Sequence, residues 1–421
     1  MQTALNALTA GFSPDEPGVI VMVHTDNGAT WYSCRGMADA ATRSPVTPDT
    51  IFNLASVSKQ FTAFSLLLLV QEGKISLSDS VLSVLPELGE YARPVTLRHL
   101  LHHTGGLKDY MDLAFARKTG FYDPLTPQET LADLISQTEA DFPPGTRHDY
   151  SNTGYFLLSQ VIERVSGQSL ADFARERIFA PLEMNHTFIV VQYPAPQTIA
   201  TGYGKAAGQW RISESPWTHT GDGAVHSSAA DLMKWGENYR TACAGGTSLI
   251  QQMAETLSPL TESGTPVTDY EPYAAGLHTL HHFGELSLEH AGGWMGTSTY
   301  FIRLTESDTT IVALSNREEC DTEALARAAV AAFLRPAFPA AITDHWDEEY
   351  RRGDVLTDPR YRRQGFARRA LLALNHSILN AGLKPQYRCQ TDNLSSLILA
   401  QQSGFTPFAQ WDFLLSEDGE E

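Results

Sequence analysis

Cysteine is scarce in this chain. Four occur in 421 residues, Cys34, Cys243, Cys320 and Cys389, widely separated and without a Cys-x-x-Cys pair. That excludes a disulfide scaffold and the usual thiolate metal and redox motifs, and leaves free thiols as the default. Positive charge is also short: 30 Lys and Arg stand against 49 Asp and Glu, a net charge of −19. The imbalance is local. Residues 351–421 hold 9 basic and 8 acidic residues, so residues 1–350 carry −20. Such a body repels nucleic acid and anionic membranes, and neither is expected as a partner. Long apolar runs are missing as well. The longest, FTAFSLLLLV (Phe61–Val70), is far too short to span a bilayer. The first residues, MQTALNALTAGFSPDEPG, lack the basic and apolar regions of a signal peptide. The expected location is cytoplasmic, or periplasmic or secreted if a leader precedes this chain. Repeats and low-complexity tracts are absent.

What is present is material for a large core, with 42% apolar and 19% charged residues, in a chain long enough for two or three domains. Two β-rich runs between Val19 and Asp39 flank Asp26-Asn27-Gly28, a hairpin signal because Asn-Gly accepts the positive φ of a tight turn. SKQFTAFSLLLLVQEG (Ser58–Gly73) is apolar on nearly all sides and predicts a buried helix ended by glycine. Helical patterns dominate from Thr96 to Phe179, among them TGYFLLSQVIERVSG (Thr153–Gly167). Short strands follow from Tyr273, then a helix at Asp321–Leu334. Strands at both ends with helices between predict one discontinuous α/β domain over residues 1–334, its sheet assembled from distant parts of the chain. The proline-bearing RPAFPAAITDH (335–345) reads as a linker to a C-terminal segment, 346–421.

The most informative stretch is LASVSKQFTA, with Ser56-x-x-Lys59. On a helix, positions i and i+3 share a face. A serine hydroxyl needs a base before it can attack, and burial favours the neutral amine that could serve. The helix N-terminus adds a positive dipole end suited to a developing oxyanion. Taken alone the pattern is common. Two further elements accompany it. Tyr150-Ser151-Asn152 precedes a buried helix, and His290-Ala291-Gly292-Gly293 ends a strand, where small residues let a substrate backbone approach.

This ordered set, Ser-x-x-Lys, Tyr-x-Asn and His-x-Gly, resembles the serine β-lactamase and penicillin-binding-protein superfamily, in the branch of class C β-lactamases, D-aminopeptidases and related esterases. LRHLLHHTGGL (Leu97–Leu107), FAPLEMNHT (Phe179–Thr187) and GAVHSSAADLMKW (Gly223–Trp235) agree with it. The resemblance covers Gly18 to Leu334. It implies an antiparallel sheet flanked by helices, with an all-helical subdomain. It also implies Ser56 as nucleophile, Lys59 as its base or proton partner and Tyr150 as proton shuttle to the leaving group. Asn152, His290 and Gly293 would bind substrate, and the N–H groups of Ser56 and Gly293 would form an oxyanion hole. No cofactor and no metal are implied. One departure matters: His290-Ala291 stands where lactamases usually carry Lys-Thr, which helps hold a substrate carboxylate. The expectation is therefore a serine hydrolase for a small ester, amide or peptide, of esterase or D-amino-acid peptidase and amidase type. The alternatives are a β-lactamase or carboxypeptidase, and a non-catalytic ligand-binding scaffold.

Two histidine clusters, His99/His102/His103 and His278/His281/His282, are read as structural rather than metal-binding. Trp294, beside Gly293, is a candidate for the pocket wall, whereas for Trp210 and Trp217 packing is the commoner role. The C-terminal VLTDPRYRRQGFARRALLALNHSILNAG and DNLSSLILAQQSGF resemble the acetyl-CoA-binding half of a GNAT acetyltransferase. Arg362–Ala367 would open a phosphate-cradling helix, and Asn393 and Gly404-Phe405 also match. The half that builds the acceptor side is missing, and Ala400 stands where that family often has an acidic tyrosine. A small α/β GNAT-like half-domain that packs or forms a homodimer is the expectation, ahead of coenzyme binding or a bifunctional hydrolase and acetyltransferase.

Overall fold

The structure, a computed structural model, describes residues 1–196, 198–257, 264 and 272–334; the linker and the GNAT-like segment lie outside the described residues. The hairpin signal at Asp26–Gly28 joins β1 (Val19–Thr25) to β2 (Thr30–Arg35), with Gly28 at φ 95°. The late strands are β3 (His278–His282), β4 (Glu285–Trp294), β5 (Thr297–Leu304) and β6 (Thr309–Ser315). The six form one sheet in the order β3-β4-β5-β6-β1-β2. β1 closes antiparallel on β6, from Val19 opposite Ser315 to Thr25 opposite Thr309. The N-terminal hairpin is thus completed by strands nearly 300 residues on, as the split pattern predicted.

Every residue of β6 and six of the seven in β1 are buried, which requires cover on both faces. Helix α1 (Gln2–Thr9) packs on β1 and β2. A second helix, Ala229–Thr241, packs on β6 and β1 so closely that a Cβ on its Gly236 would fall 1.9 Å from Thr310 Oγ1. The apolar run is α2 (Lys59–Gln71), reached through one 3₁₀ turn at Ala55–Ser58, and it is buried continuously from Lys59 to Leu69. Phe61 and Phe64 meet the fully buried Trp235 at ring centroids 4.7 and 5.2 Å apart. The helical region between Thr96 and Phe179 carries α3 (Asn152–Ser166), N-capped by Ser151 and ended by Gly167 at φ 73°. It packs directly on α2.

One buried ion cluster ties the sheet's turns together. Arg303 of β5, 1% exposed, grips Asp26 with both guanidinium nitrogens at 2.9 and 2.8 Å, and Asp26 is 2% exposed. Arg303 also donates to Asp308 (2.9 Å), and Arg240 adds a bond to Asp26 at 3.1 Å. Removing one partner of a buried pair strands the other charge. Arg303→Met is expected to cost about 3–5 kcal/mol in urea unfolding, with part of that recovered when Asp26→Asn is added.

Candidate active site

The chain reaches Ser56 through a short strand, Ile51–Asn53, paired with Val225–Ser228. Ala55 then adopts φ +47°, the left-handed region that costs a side-chain-bearing residue energy. Asn53 Oδ1 accepts the Ala55 N–H at 2.9 Å, and the hydroxyls of Thr297 and Thr299 donate to the Asn53 and Leu54 carbonyls at 2.9 and 2.8 Å. A Cβ at Gly292 would meet the Leu54 carbonyl oxygen at 2.2 Å, so glycine is what lets β4 lie against this bend. Ser56 sits in the 3₁₀ turn that follows, and Lys59 opens α2.

Lys59 is fully buried, and its Nζ has three acceptors. They are Ser56 Oγ at 3.1 Å, Asn152 Oδ1 at 2.9 Å and the Asp222 carbonyl at 2.8 Å. The ring of Tyr150 is 4.9 Å away and that of Tyr155 5.6 Å. Two contacts hold the Tyr150–Asn152 turn in place: Asp109 Oδ2 accepts the Asn152 N–H at 2.6 Å, and His103 Nδ1 accepts the Ser151 N–H at 3.1 Å. An accepting Nδ1 requires neutral imidazole, and burial, with Lys59 nearby, pushes the His103 pKa well below its usual range. Its ring lies 4.4 Å from that of Tyr150. The first histidine cluster therefore supports the tyrosine turn. Among the described residues no group of His, Cys, Asp and Glu is arranged to hold a metal ion.

Of the residues singled out from the sequence, Ser56, Tyr150, Asn152 and Gly293 line one cavity of about 450 Å³, with Lys59 beneath it. His290 does not line it. Strand alternation turns Ala291 and Gly293 outward and His290 and Gly292 inward. The His290 ring donates from Nδ1 to the Ala291 carbonyl (2.5 Å) and accepts at Nε2 from Tyr273 (3.0 Å), and burial keeps it neutral. Its expected contact with substrate is thus replaced by a place behind Tyr150, 5.9 Å ring to ring. Trp294 lines the cavity and so does Trp217, whereas Trp210 packs under Lys205 and Arg317. The loop from Tyr110 to Pro127, an expected source of pocket wall, supplies Tyr110 and Phe121, whereas sequence reasoning missed His219 and Asp222. The one available signal was an acidic residue between two glycines, Gly221-Asp222-Gly223, just ahead of a motif already noted.

Two tests follow from this geometry. Gly292→Ala pushes a methyl into the Ser56 bend, so a stability loss of about 1–3 kcal/mol with at least a tenfold fall in kcat is expected. For pH, burial lowers the pKa of His102, His219 and His226 from 6.5 to about 4. The unfolded chain takes up these protons below pH 6.5 and the folded one resists until about 4, so their stabilisation is present above 6.5 and lost on acidification. Asp222, raised to about 6 by burial, and Asp109, also raised by burial, oppose this, while His99, His103 and His290, lowered by burial as well, add to it. The melting temperature is expected to fall by roughly 5–10 °C between pH 7 and 4.5 in scanning calorimetry; a flat profile would contradict the buried-neutral assignment.

The chain matches the beta-lactamase family over residues 5–334. It is similar to penicillin-binding protein 4* of Bacillus subtilis, 32% identical over 68% of this chain and 65% of that protein. It is also similar to a D-aminopeptidase of Gluconobacter oxydans, 27% identical over 82% of this chain and 63% of that protein. It therefore spans a little under two thirds of the length of these relatives. Among solved structures, an octameric penicillin-binding protein homologue from Pyrococcus abyssi superposes with a TM-score of 0.67 at 28% identity, over 79% of this chain and 76% of that one. The split sheet, the helix that opens on Lys59 and the Ser56–Lys59–Tyr150–Asn152 cluster thus accompany a family match over most of the chain, which belongs to the beta-lactamase family.

Proposed function

We propose that this protein is a serine hydrolase that cleaves a small ester or amide through an acyl-enzyme on Ser56. The observation that carries this reading is the buried Lys59 amine, 3.1 Å from Ser56 Oγ. Asn152 and the Asp222 carbonyl can hold two of its N–H groups, and the remaining position faces the serine. Lys59 would take the hydroxyl proton as Oγ attacks the substrate carbonyl. The N–H groups of Ser56 and Gly293 would stabilise the oxyanion. Tyr150, beside Lys59 and open to the cavity, would pass the proton to the leaving group as its bond to the carbonyl carbon breaks. Water then attacks the ester on Ser56, gives its proton back through the same residues, and releases the acid.

The third motif favours esters and aminoacyl amides over β-lactams. Ala291 donates nothing, and a neutral, buried His290 offers no cation to a substrate carboxylate. The D-aminopeptidase relative points the same way. For residues 346–421 we propose a GNAT-like half-domain with a packing or dimer-forming role; a clear thermal shift with acetyl-CoA would replace that role with coenzyme binding.

The test of the enzyme reading is labelling by a fluorophosphonate. Wild type is expected to be labelled, with label and turnover both lost in Ser56→Ala and turnover reduced at least 10³-fold in Lys59→Ala. D-aminoacyl p-nitroanilides or p-nitrophenyl esters are expected to outrun nitrocefin. Absence of labelling would favour a ligand-binding scaffold, and efficient nitrocefin turnover would favour a β-lactamase.

A further inference from the structure

The cavity has an aromatic wall, and the wall has an end. Tyr110, Trp217, Phe121 and Trp294 follow one another with ring centroids 6.1, 5.5 and 4.9 Å apart, and all four line the cavity. Trp217 also meets Trp294 at 5.8 Å, so the last three rings close a triangle. The Tyr110 hydroxyl donates to Asp222 Oδ2 at 2.7 Å, and the Trp217 Nε1–H to the Asp123 carbonyl at 2.8 Å. With those polar tips spent inside the protein, the wall offers apolar ring faces, which suit an aryl group.

Phe121 is held in place from both sides. Its own carbonyl accepts from Ser215 Oγ at 2.7 Å. Two residues on, the Asp123 carbonyl takes the Trp217 bond, and Asp123 Oδ2 accepts the Gly120 N–H at 2.8 Å. These bonds bracket Phe121 and keep its ring against the Trp217–Trp294 pair. On its other side Phe115 packs at 4.9 Å and is 42% exposed, so the surface lies one ring beyond. The leaving group, in the mechanism above, lies against Tyr150, which gives it a proton. The ring neighbours of Tyr150 are His103, Tyr273 and His290, none of them part of the wall. The wall is thus left for the acyl group, and it starts beside the oxyanion hole, because Trp294 follows Gly293 directly.

We propose that Phe121 is a specificity-determining residue, an end stop that limits how far the acyl group extends from the scissile carbonyl. This rests on the hydrolase reading above and narrows it to substrates with a compact aryl acyl group. Such a group lies flat on the wall, whereas a longer chain runs into the Phe121 ring. Trimming that ring opens the wall toward Phe115 and the surface, so longer acyl groups gain and short ones do not.

The experiment measures kcat/KM on the full chain for the p-nitrophenyl esters of acetate, phenylacetate and 6-phenylhexanoate, with fluorophosphonate labelling run in parallel. Wild type is expected to favour phenylacetate about tenfold over each of the other two. In Phe121→Ala the ratio of 6-phenylhexanoate to phenylacetate is expected to rise about tenfold. Both rates come from one preparation, so a loss of folded enzyme cancels from the ratio. A wild type indifferent to the acyl group, or a ratio that Phe121→Ala leaves unchanged, overturns the proposal. Should Phe121→Ala fail to fold, Phe121→Leu decides: the same ratio is expected to rise about threefold, and no rise overturns the end stop. If wild type is neither labelled nor active, the hydrolase reading fails on its own. Calorimetric binding of 2-phenylethanol and 6-phenylhexanol then judges Phe121 separately. Tighter binding of the longer alcohol alone in the variant supports the end stop, and an equal change for both overturns it.

Discussion

The site depends on one buried amine. Lys59 Nζ is shared between Ser56 three residues before it, Asn152 at the start of another helix, and the carbonyl of Asp222 in a third segment. A buried amine needs all of its partners, because water cannot replace any that is lost. Much of the surrounding architecture keeps those three segments in register. Helix α2 is buried on all sides, so Lys59 cannot turn outward. The start of α3 is held by Asp109 and His103. The Asp222 loop lies so close to α3 that a Cβ at Gly221 would fall 2.2 Å from the Tyr155 carbonyl oxygen.

Charge is rationed around this centre. The histidines behind it, His102, His103 and His290, are all buried and pushed toward neutrality, so they shape the site without adding positive field. What remains is the Lys59 amine beside the Ser56 hydroxyl and the Asp222 carboxylate in the cavity wall.

Local signals in the sequence are legible. The Asn-Gly hairpin, the all-apolar helix, the glycine end of α3 and the late run of strands depend on neighbours within a few residues, and each is where its pattern placed it. That the first and the late strands share one sheet also followed, from strands at both ends of the domain with helices between, but the pairing of β1 with β6 did not. Less legible were features set by contacts across the chain. Trp217 reads as a packing residue until Phe121 and Trp294 are seen beside it. The left-handed Ala55 is held by threonines some 240 residues away and has no signature of its own.

By itself, then, the sequence determined the chemistry on offer: a serine and a lysine one helical turn apart, a tyrosine and an amide two residues apart, and glycines at a strand end. Only the tertiary structure decided which of these residues line the cavity. It turned His290 away from the cavity through the parity of a strand, and it brought Asp222 and His219 into the wall beside Tyr110. The physical reason is range. Periodicity and turn chemistry act over a few residues, while burial, strand parity and an unpaired buried charge are properties of surfaces that meet only after the chain has folded.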